Sequence, residues 1–548
     1  MLYREISRVL GQYLFGLAII LCLPFALSAY YEFFSAPGVH PQPHSTSAFF
    51  ATILVSCSFA GLLSYWGSLS KGVLYRREAL AVVAMIWFIT AIISAFPFYF
   101  SGTFEHFVDA YFEAMSGLTT TGASVMHAKS FDPVSGVEIP RTIEGAYGSY
   151  VKYEFFGTIS PVRDPQTGAI LFHGIEAVSK ALLFWRSLMQ WLGGMGIVVL
   201  FVAVLPALGV GGRVLYQAEV PGPTKEAVTP RIKETASLLW KLYFALTFVE
   251  IILLMWTNTE MPLFDAVCIT FSNLSTGGFS VRNASIGSYQ SVATENVVLA
   301  FMLIGSINFS LYFYCLKGKI YRLYEPEFLI YILTIITGVL FISWHLIDTD
   351  KQLLTGESGT FNVKDAFRYG AFHFISAQTS TGYVTADFNL WPLQNQVVLL
   401  LIMFVGSMSG STGGGIKIVR HYMLLRIALN KIESIFRPET VKTFRIGSHD
   451  VDDKAAVTVL TFFFIVLSLA VAGTLFMIID GIDPETALSI NTCMINNIGI
   501  AFRAAGPTES FAFLSPASKI LSSFLMVLGR LEFFALLIVF VPAFWKGK

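Results

Sequence analysis

The chain has 548 residues, 55% of them hydrophobic and only 13% charged, with a mean hydropathy of +0.65. Soluble domains carry about a quarter charged residues, so this composition excludes a water-soluble globular protein and indicates many membrane spans. The formal net charge is zero; charge balance therefore names no partner, and nucleic acid is not expected to be one.

The segment Met1 to Arg8 is weakly basic and leads directly into about 20 apolar residues with no small-residue cleavage site, which predicts a retained first helix. Apolar runs near 20 residues lie at about 12–33, 48–68, 79–100, 181–208, 238–257, 297–316, 328–347, 397–428, 455–479 and 520–544, about ten spans in all. The run at 397–428 is interrupted by GSMSGSTGGG at 406–415, a composition that breaks a continuous helix. Basic residues cluster in the linkers 70–78 (Lys71, Arg76, Arg77), 211–237 (Arg213, Lys225, Arg231, Lys233), 317–325 (Lys317, Lys319, Arg322) and 420–454 (Arg420 to Arg445), whereas 35–47 has neither Lys nor Arg. The positive-inside rule then puts both termini in the cytoplasm. The five cysteines lie in apolar surroundings without metal or redox spacing and read as packing residues.

Four outward connections share a pattern: FVDAYFEAMSGLTTTGAS, LFDAVCITFSNLSTGGFS, VKDAFRYGAFHFISAQTSTGYVTADF and IDPETALSINTCMINNIGIAF. Each opens with an aspartate (Asp109, Asp265, Asp365, Asp483), continues through a mostly apolar segment, and reaches a small polar stretch holding Gly122, Gly277, Gly382 or Gly499. A ten-residue helix is about 15 Å long, half the hydrocarbon thickness, so each unit reads as span, half-helix, irregular segment, span. The glycines stand 155, 105 and 117 positions apart, the first gap being lengthened by an outward insert at 127–176. Such self-similarity marks an internal repeat.

Irregular backbone at membrane depth persists only where it is buried in protein or lines water. Four such segments can surround one axis. Glycine lets carbonyls turn toward that axis, and a ring of carbonyl oxygens replaces the hydration shell of a cation. The half-helices would aim their negative C-terminal ends inward. The candidate cation ligands are therefore Thr120, Thr121 and Gly122; Ser275, Thr276 and Gly277; Ser380, Thr381 and Gly382; and Asn497, Ile498 and Gly499.

At TTTGAS, WRSLMQWLGGMGI (185–197), LSTGGFS, TSTGY, GSTGGGIK (410–417), NNIG and GRLEFFALL (529–537) the chain resembles the Trk/Ktr/HKT superfamily of potassium transporters, most closely its bacterial Trk branch, from about residue 75 onward. The resemblance implies an all-α polytopic inner-membrane protein with four span–pore-helix–span repeats in a pseudo-fourfold array around a potassium-channel-like filter. Potassium is the implied substrate, membrane lipid the surroundings, a homodimer the assembly, and a nucleotide-binding cytosolic ring the regulatory partner. The divisions are 1–70 for an extra two-helix element, 71–212 for repeat one with its insert, 213–325 for repeat two, 326–445 for repeat three and 446–548 for repeat four. In plant relatives a serine at the first filter position goes with sodium preference; Gly122 stands there here. The fourth segment departs from the family pattern, with Ile500-Ala501 where relatives have Pro-Gly, and Ile498 where the other three have threonine.

The Gly/Ser-rich interruption predicts a flexible loop within a broken helix. By resemblance it lies under the filter as a gate, formed by Gly410, Ser411, Thr412, Gly413, Gly414, Gly415 and Lys417. Arg530 falls mid-span, where a charge normally faces a cavity or a partner; the resemblance places it in the pore, while a structural ion pair with a carboxylate is the alternative. A Lys417–Glu532 contact is a further expectation. GSTGGGIK does not meet the phosphate-loop spacing, since Ile418 follows Lys417. A sodium-permeable transporter of the same architecture is a second reading. An intramembrane serine hydrolase using Ser409 or Ser411 with His421 is a third. His345 and His373 are single and read as packing or interface residues. No catalytic set stands out.

Overall fold

The computed structural model describes residues 3–35, 44–69, 75–132, 135–145, 151–164, 166–196, 232–437, 444–446, 449–451 and 453–545. Six helices, Tyr3–Phe33, Ser45–Trp66, Arg76–Phe100, Ile232–Thr257, Pro326–Leu346 and Asp453–Ile479, are each long and apolar enough to cross a membrane. Two bent helix pairs are long and apolar enough only when taken together: Val292–Ser306 with Phe309–Leu316, at 92°, and Pro516–Arg530 with Phe534–Phe540, at 114°. This gives six to eight candidate spans among the described residues, against the ten expected. Of the other two runs, one is the helix Lys180–Gly194, beyond which residues 197–231 lie outside the description, and the other is divided into Leu393–Val405 and Ile418–Phe436.

Many large apolar side chains stay on the outer surface, among them Ile19, Trp256, Trp344 and Phe464. In a lipid solvent such a surface is satisfied, because every helical backbone group already has its partner. The first two helices pack on one another along their length and reach the third through Tyr13, whose hydroxyl pairs with Thr90 at 2.5 Å. Of the cysteines, Cys268 and Cys493 are buried but Cys22 is exposed, on the outer face of the first helix; the packing reading fails there because an apolar neighbourhood in sequence is also what a lipid-facing helix face looks like.

Four short helices start at the aspartates, which lie in the first turn of Phe107–Leu118, Leu263–Leu274 and Val363–Gln378 and at the N-cap of Pro484–Asn496. Each packs against the helix before it and the helix after it. Their aspartates are tied down individually. Asp109 meets Lys519 at 2.6 Å, Asp265 meets Arg282 at 2.9 Å, Asp365 meets Lys351 at 3.2 Å, and Asp483 caps its helix through the Thr486 amide at 3.0 Å.

The apolar runs after the second and fourth short helices also break, which the sequence suggested only for the Gly/Ser-rich run. Neither break needs a glycine. Asn308 caps the restarted helix by accepting from the Ser310 amide at 2.8 Å, and Glu532 and Phe533 take φ of 52° and 63°. The insert 127–176 departs from all-α structure. It carries the antiparallel hairpin Arg141–Glu144 with Lys152–Phe155 and two smaller ones. It docks around the fourth short helix: at the N-terminus Tyr153 donates to Asp483 at 2.7 Å, and on the loop after the helix Arg141 pairs with Glu509 at 2.7 Å and the Phe513 ring lies 4.9 Å from that of Tyr153. Most of the linker 211–237 lies outside the described residues.

A candidate cation pathway at the four short helices

The four segments that leave the short helices share one backbone course. Thr120, Thr276, Ser380 and Asn497 take left-handed φ values of 54°, 54°, 58° and 53°. The amides of the next residues, Thr121, Gly277, Thr381 and Ile498, donate to the carbonyls of Ser116, Ser272, Ser376 and Cys493 at 2.9, 2.7, 3.0 and 3.0 Å. One residue further, Gly122, Gly278 and Gly382 have φ of 81°, 77° and 80°, a conformation that favours glycine. This register corrects one sequence assignment: the counterpart of Gly122 and Gly382 is Gly278, and Gly277 stands level with Thr121. Ser275 and Thr276 move with it, level with Thr119 and Thr120. In a Gly-Gly pair the sequence cannot say which glycine needs the positive φ.

The segments touch in a closed cycle. A Cβ added at Gly122 would strike the Gly277 carbonyl oxygen, and one at Gly278 would strike that of Thr381. A Cβ at Gly382 would lie 2.9 Å from the Gly499 nitrogen, and one at Gly499 would lie 2.5 Å from the Gly122 carbonyl carbon. First meets second, second meets third, third meets fourth, and fourth meets first. The hydroxyls are mostly engaged: Thr119 pairs with Thr121 and Thr379 with Thr381, each at 2.8 Å, and Asn497 donates to Thr121 at 3.0 Å. The Thr120 hydroxyl is buried with no hydrogen-bond partner, which leaves that oxygen available as a ligand.

Behind this cycle stand residues that the sequence reading did not single out. Gln190 is fully buried; its amide donates to the Gly277 carbonyl at 2.7 Å and accepts from the Phe279 amide at 3.1 Å. It thereby clamps the second segment on both sides of Gly278. Arg186 and Glu113 form an ion pair at 2.7 Å with side-chain exposures of 1% and 0%. Glu113 accepts from the Val125 amide at 3.0 Å, and Arg186 donates to the Ser280 carbonyl at 3.1 Å and covers the Phe279 ring at 3.9 Å. The pair thus ties the chain leaving the first segment to the chain leaving the second. Removing one partner would strand the other charge, at a cost of about 3–5 kcal/mol. Their signal in the sequence was a Glu inside an apolar half-helix and an Arg inside an apolar span.

The interruption Gly406–Lys417 lies against the ends of the short helices. The Thr412 hydroxyl donates to the Leu274 carbonyl at 3.0 Å and the Gly414 amide donates to Ser380 at 2.5 Å. A Cβ on Gly414 would collide with the Asn496 carbonyl. The expected flexible loop is in fact strapped: Met408 and Thr412 amides donate to Ser306 and Gly305 at 3.2 and 3.1 Å, Gly410 accepts from Phe309 at 3.0 Å, and the Ser409 amide donates to the Glu327 carboxylate at 2.6 Å. Its glycines serve close approach, with Gly406, Gly410 and Gly415 at φ of 69°, 71° and 79°.

Arg530 donates to the Thr412 carbonyl at 2.8 Å and to those of Gly193 and Gly194 at 2.5 and 2.7 Å. It therefore caps the carbonyl end of the helix Lys180–Gly194, where a cation is favoured, and pins the loop from the same head group. Glu532 pairs with Arg420, whose guanidinium also covers the Phe462 ring at 4.1 Å. The ion-pair partner of Glu532 is thus Arg420, where Lys417 was expected. Lys417 turns into its own loop, donating to the Gly413 carbonyl and, at 3.2 Å, to Ser407. The hydrolase reading has no geometry here. Ser411 bonds Met408 and Ser407, the Ser409 hydroxyl is buried without a partner, and His421 packs on Phe463. His373 is a packing residue whose Nε2 faces the Thr385 and Ala386 amides at 3.3 Å.

The family described as TrkH, cation transport protein, matches residues 162–546. The chain is 31% identical over 551 residues to the Trk system potassium uptake protein TrkH of Salmonella typhimurium, covering 99% of each chain. It is 31% identical to TrkG of Escherichia coli over 510 residues, covering 92% of each. Its fold is similar to the crystal structure of the potassium transporter TrkH from Vibrio parahaemolyticus, with a TM-score of 0.77, 28% identity and 100% coverage of both chains. Its relatives are transporters and not enzymes, and this multi-pass membrane protein belongs to the TrkH family of cation transport proteins.

Proposed function

We propose that the chain takes up potassium across the bacterial inner membrane, with both termini in the cytoplasm. Potassium sheds water into a backbone-carbonyl filter formed by the segments at Thr120–Gly122, Thr276–Gly278, Ser380–Gly382 and Asn497–Gly499. The closed cycle of contacts among Gly122, Gly278, Gly382 and Gly499 carries this reading, and the relatives' names supply the ion. The chain is then one unit of four span–pore-helix–span repeats, with residues 1–70 as an added pair. The loop 406–415 blocks the path below the filter, and Arg530 holds it there by its bond to Thr412.

The short helices direct their carbonyl ends at the same place, where a dehydrated cation is favoured. The glycine at position 122 supports potassium over sodium. We further propose that two copies assemble and that a separate cytosolic nucleotide-binding ring docks on the basic linkers. Nucleotide-responsive flux that disappears when the ring is omitted from liposomes would support that partner.

The direct test is growth rescue of bacteria lacking potassium uptake, at low potassium, together with rubidium uptake. Rescue should vanish in Gly382→Val while the protein still reaches the membrane. Full rescue by that variant would end the filter reading.

A further inference from the structure

The fourth central segment differs from the other three at a single peptide group. In the second and third segments the glycine amides turn back toward their own helices, Gly278 to the Ser272 carbonyl at 3.2 Å and Gly382 to the Ser376 carbonyl at 3.3 Å. The carbonyl just before the glycine faces the neighbouring segment instead. Thr381 O lies against Gly278, Thr121 O lies 2.8 Å from a Cβ built on Gly499, and Gly277 O lies against Gly122 while also accepting from Gln190.

In the fourth segment both directions are reversed. The Ile498 carbonyl turns back to its own helix and lies against the Cys493 thiol. What a Cβ on Gly382 meets at 2.9 Å is the Gly499 nitrogen, at the place where its counterparts on Gly122 and Gly278 meet a carbonyl oxygen. Because the peptide is planar, turning one unit over changes only ψ of the residue before it and φ of the residue after it. Gly499 is the one glycine of the four whose φ is outside the left-handed region. The flanking geometry matches the other segments: Asn497 has φ of 53°, and the Ile498 amide bonds the Cys493 carbonyl at 3.0 Å. At the level of Cys493 the other helices carry Ser116, Ser272 and Ser376; the first two hydroxyls have no partner, and the third serves the Tyr383 carbonyl.

We infer that the Ile498–Gly499 peptide is turned over in this protein, so that one level of the filter presents three carbonyl oxygens and one N–H, and that Cys493 is the positioning residue that holds it so. The inference rests on the filter reading above. Its consequence is specificity: a cation at that level lacks one oxygen of its substitute shell and faces the positive end of an amide dipole, which weakens the preference for potassium over sodium.

The test is cation flux through the full-length protein in liposomes, comparing Cys493→Ala, which removes the donor, with Cys493→Ser, which keeps one. In Cys493→Ala the potassium-to-sodium permeability ratio should rise about fivefold, the discrimination that one hydrogen bond's worth of interaction confers. Cys493→Ser should stay close to the unaltered chain. An unchanged ratio in Cys493→Ala, with potassium flux intact, overturns the inference and leaves the filter reading standing; the Gly382→Val test addresses that reading separately. Should Cys493→Ala fail to fold, carbonyl labelling of the unaltered chain decides. Replacing potassium by sodium should shift the Thr121 and Thr381 carbonyl resonances and not that of Ile498. An Ile498 shift as large as theirs overturns the proposal.

Discussion

Replacing Gly278 and Gly277 one at a time distinguishes two adjacent glycines by consequence. Gly278 has φ of 77°, and a Cβ there would strike the Thr381 carbonyl oxygen. Holding an L-residue in the left-handed region costs about 1–2 kcal/mol, and forcing a methyl into a filled site adds about 1–3 kcal/mol. The combined penalty, about 2–5 kcal/mol, is below the stability of a typical folded protein. Gly278→Ala should therefore fold, relieving the overlap by displacing the Thr381 carbonyl, a proposed ligand. Gly277 differs. Its φ is outside the left-handed region, and its Cβ would meet the side chain of Gln190. Displacing that amide forfeits its bonds to Gly277 and Phe279, about 1 kcal/mol each, while the proposed carbonyl ring keeps its shape. Rubidium uptake at matched membrane abundance, with sodium as competitor, is the assay. Gly278→Ala should lose uptake or potassium preference by tenfold or more, on the order of 1.4 kcal/mol, and Gly277→Ala should retain the larger share of both. The opposite order would refute the register and the role given to the Thr381 carbonyl.

Two further outcomes follow from the geometry. Arg530→Ala removes the charged bond to Thr412 that holds the loop; a bond to a charged group is worth about 1.5–3 kcal/mol, so flux in liposomes should rise about tenfold or more, and flux at or below that of the unaltered chain would sink the gate. In the insert 127–176, burial and then the Arg141 charge depress His127 from its ordinary 6.5 to about 4. The folded insert therefore prefers the neutral ring, and its stability is complete above pH 6.5 and is lost as pH falls from there toward 4. Amide exchange across residues 127–176 should quicken over that range, and His127→Phe should flatten the dependence.

Much of this protein is written in its one-dimensional pattern. Apolar length alone names a membrane chain, because no soluble core needs so many runs near 20 residues. The recurrence of Asp, a short apolar segment and Gly locates all four short helices, since a half-length helix ending in small polar residues has no other reason to recur. The Gly/Ser-rich interruption likewise marks its own break, because no lipid-exposed helix tolerates it. What the tertiary structure decided concerns choices between near neighbours and contacts across distance. Whether Gly277 or Gly278 takes positive φ depends on where Thr381 and Gln190 sit, more than 80 residues away in either direction. Whether Glu532 pairs with Arg420 or Lys417 depends on how the break before Ile418 and the break after Arg530 stack. The strapping of the loop arises from carbonyls freed by a break at Ile307–Asn308 that carries no glycine. Local composition sets where a backbone can leave the helix; which groups then satisfy it is settled only when the other three segments close around it.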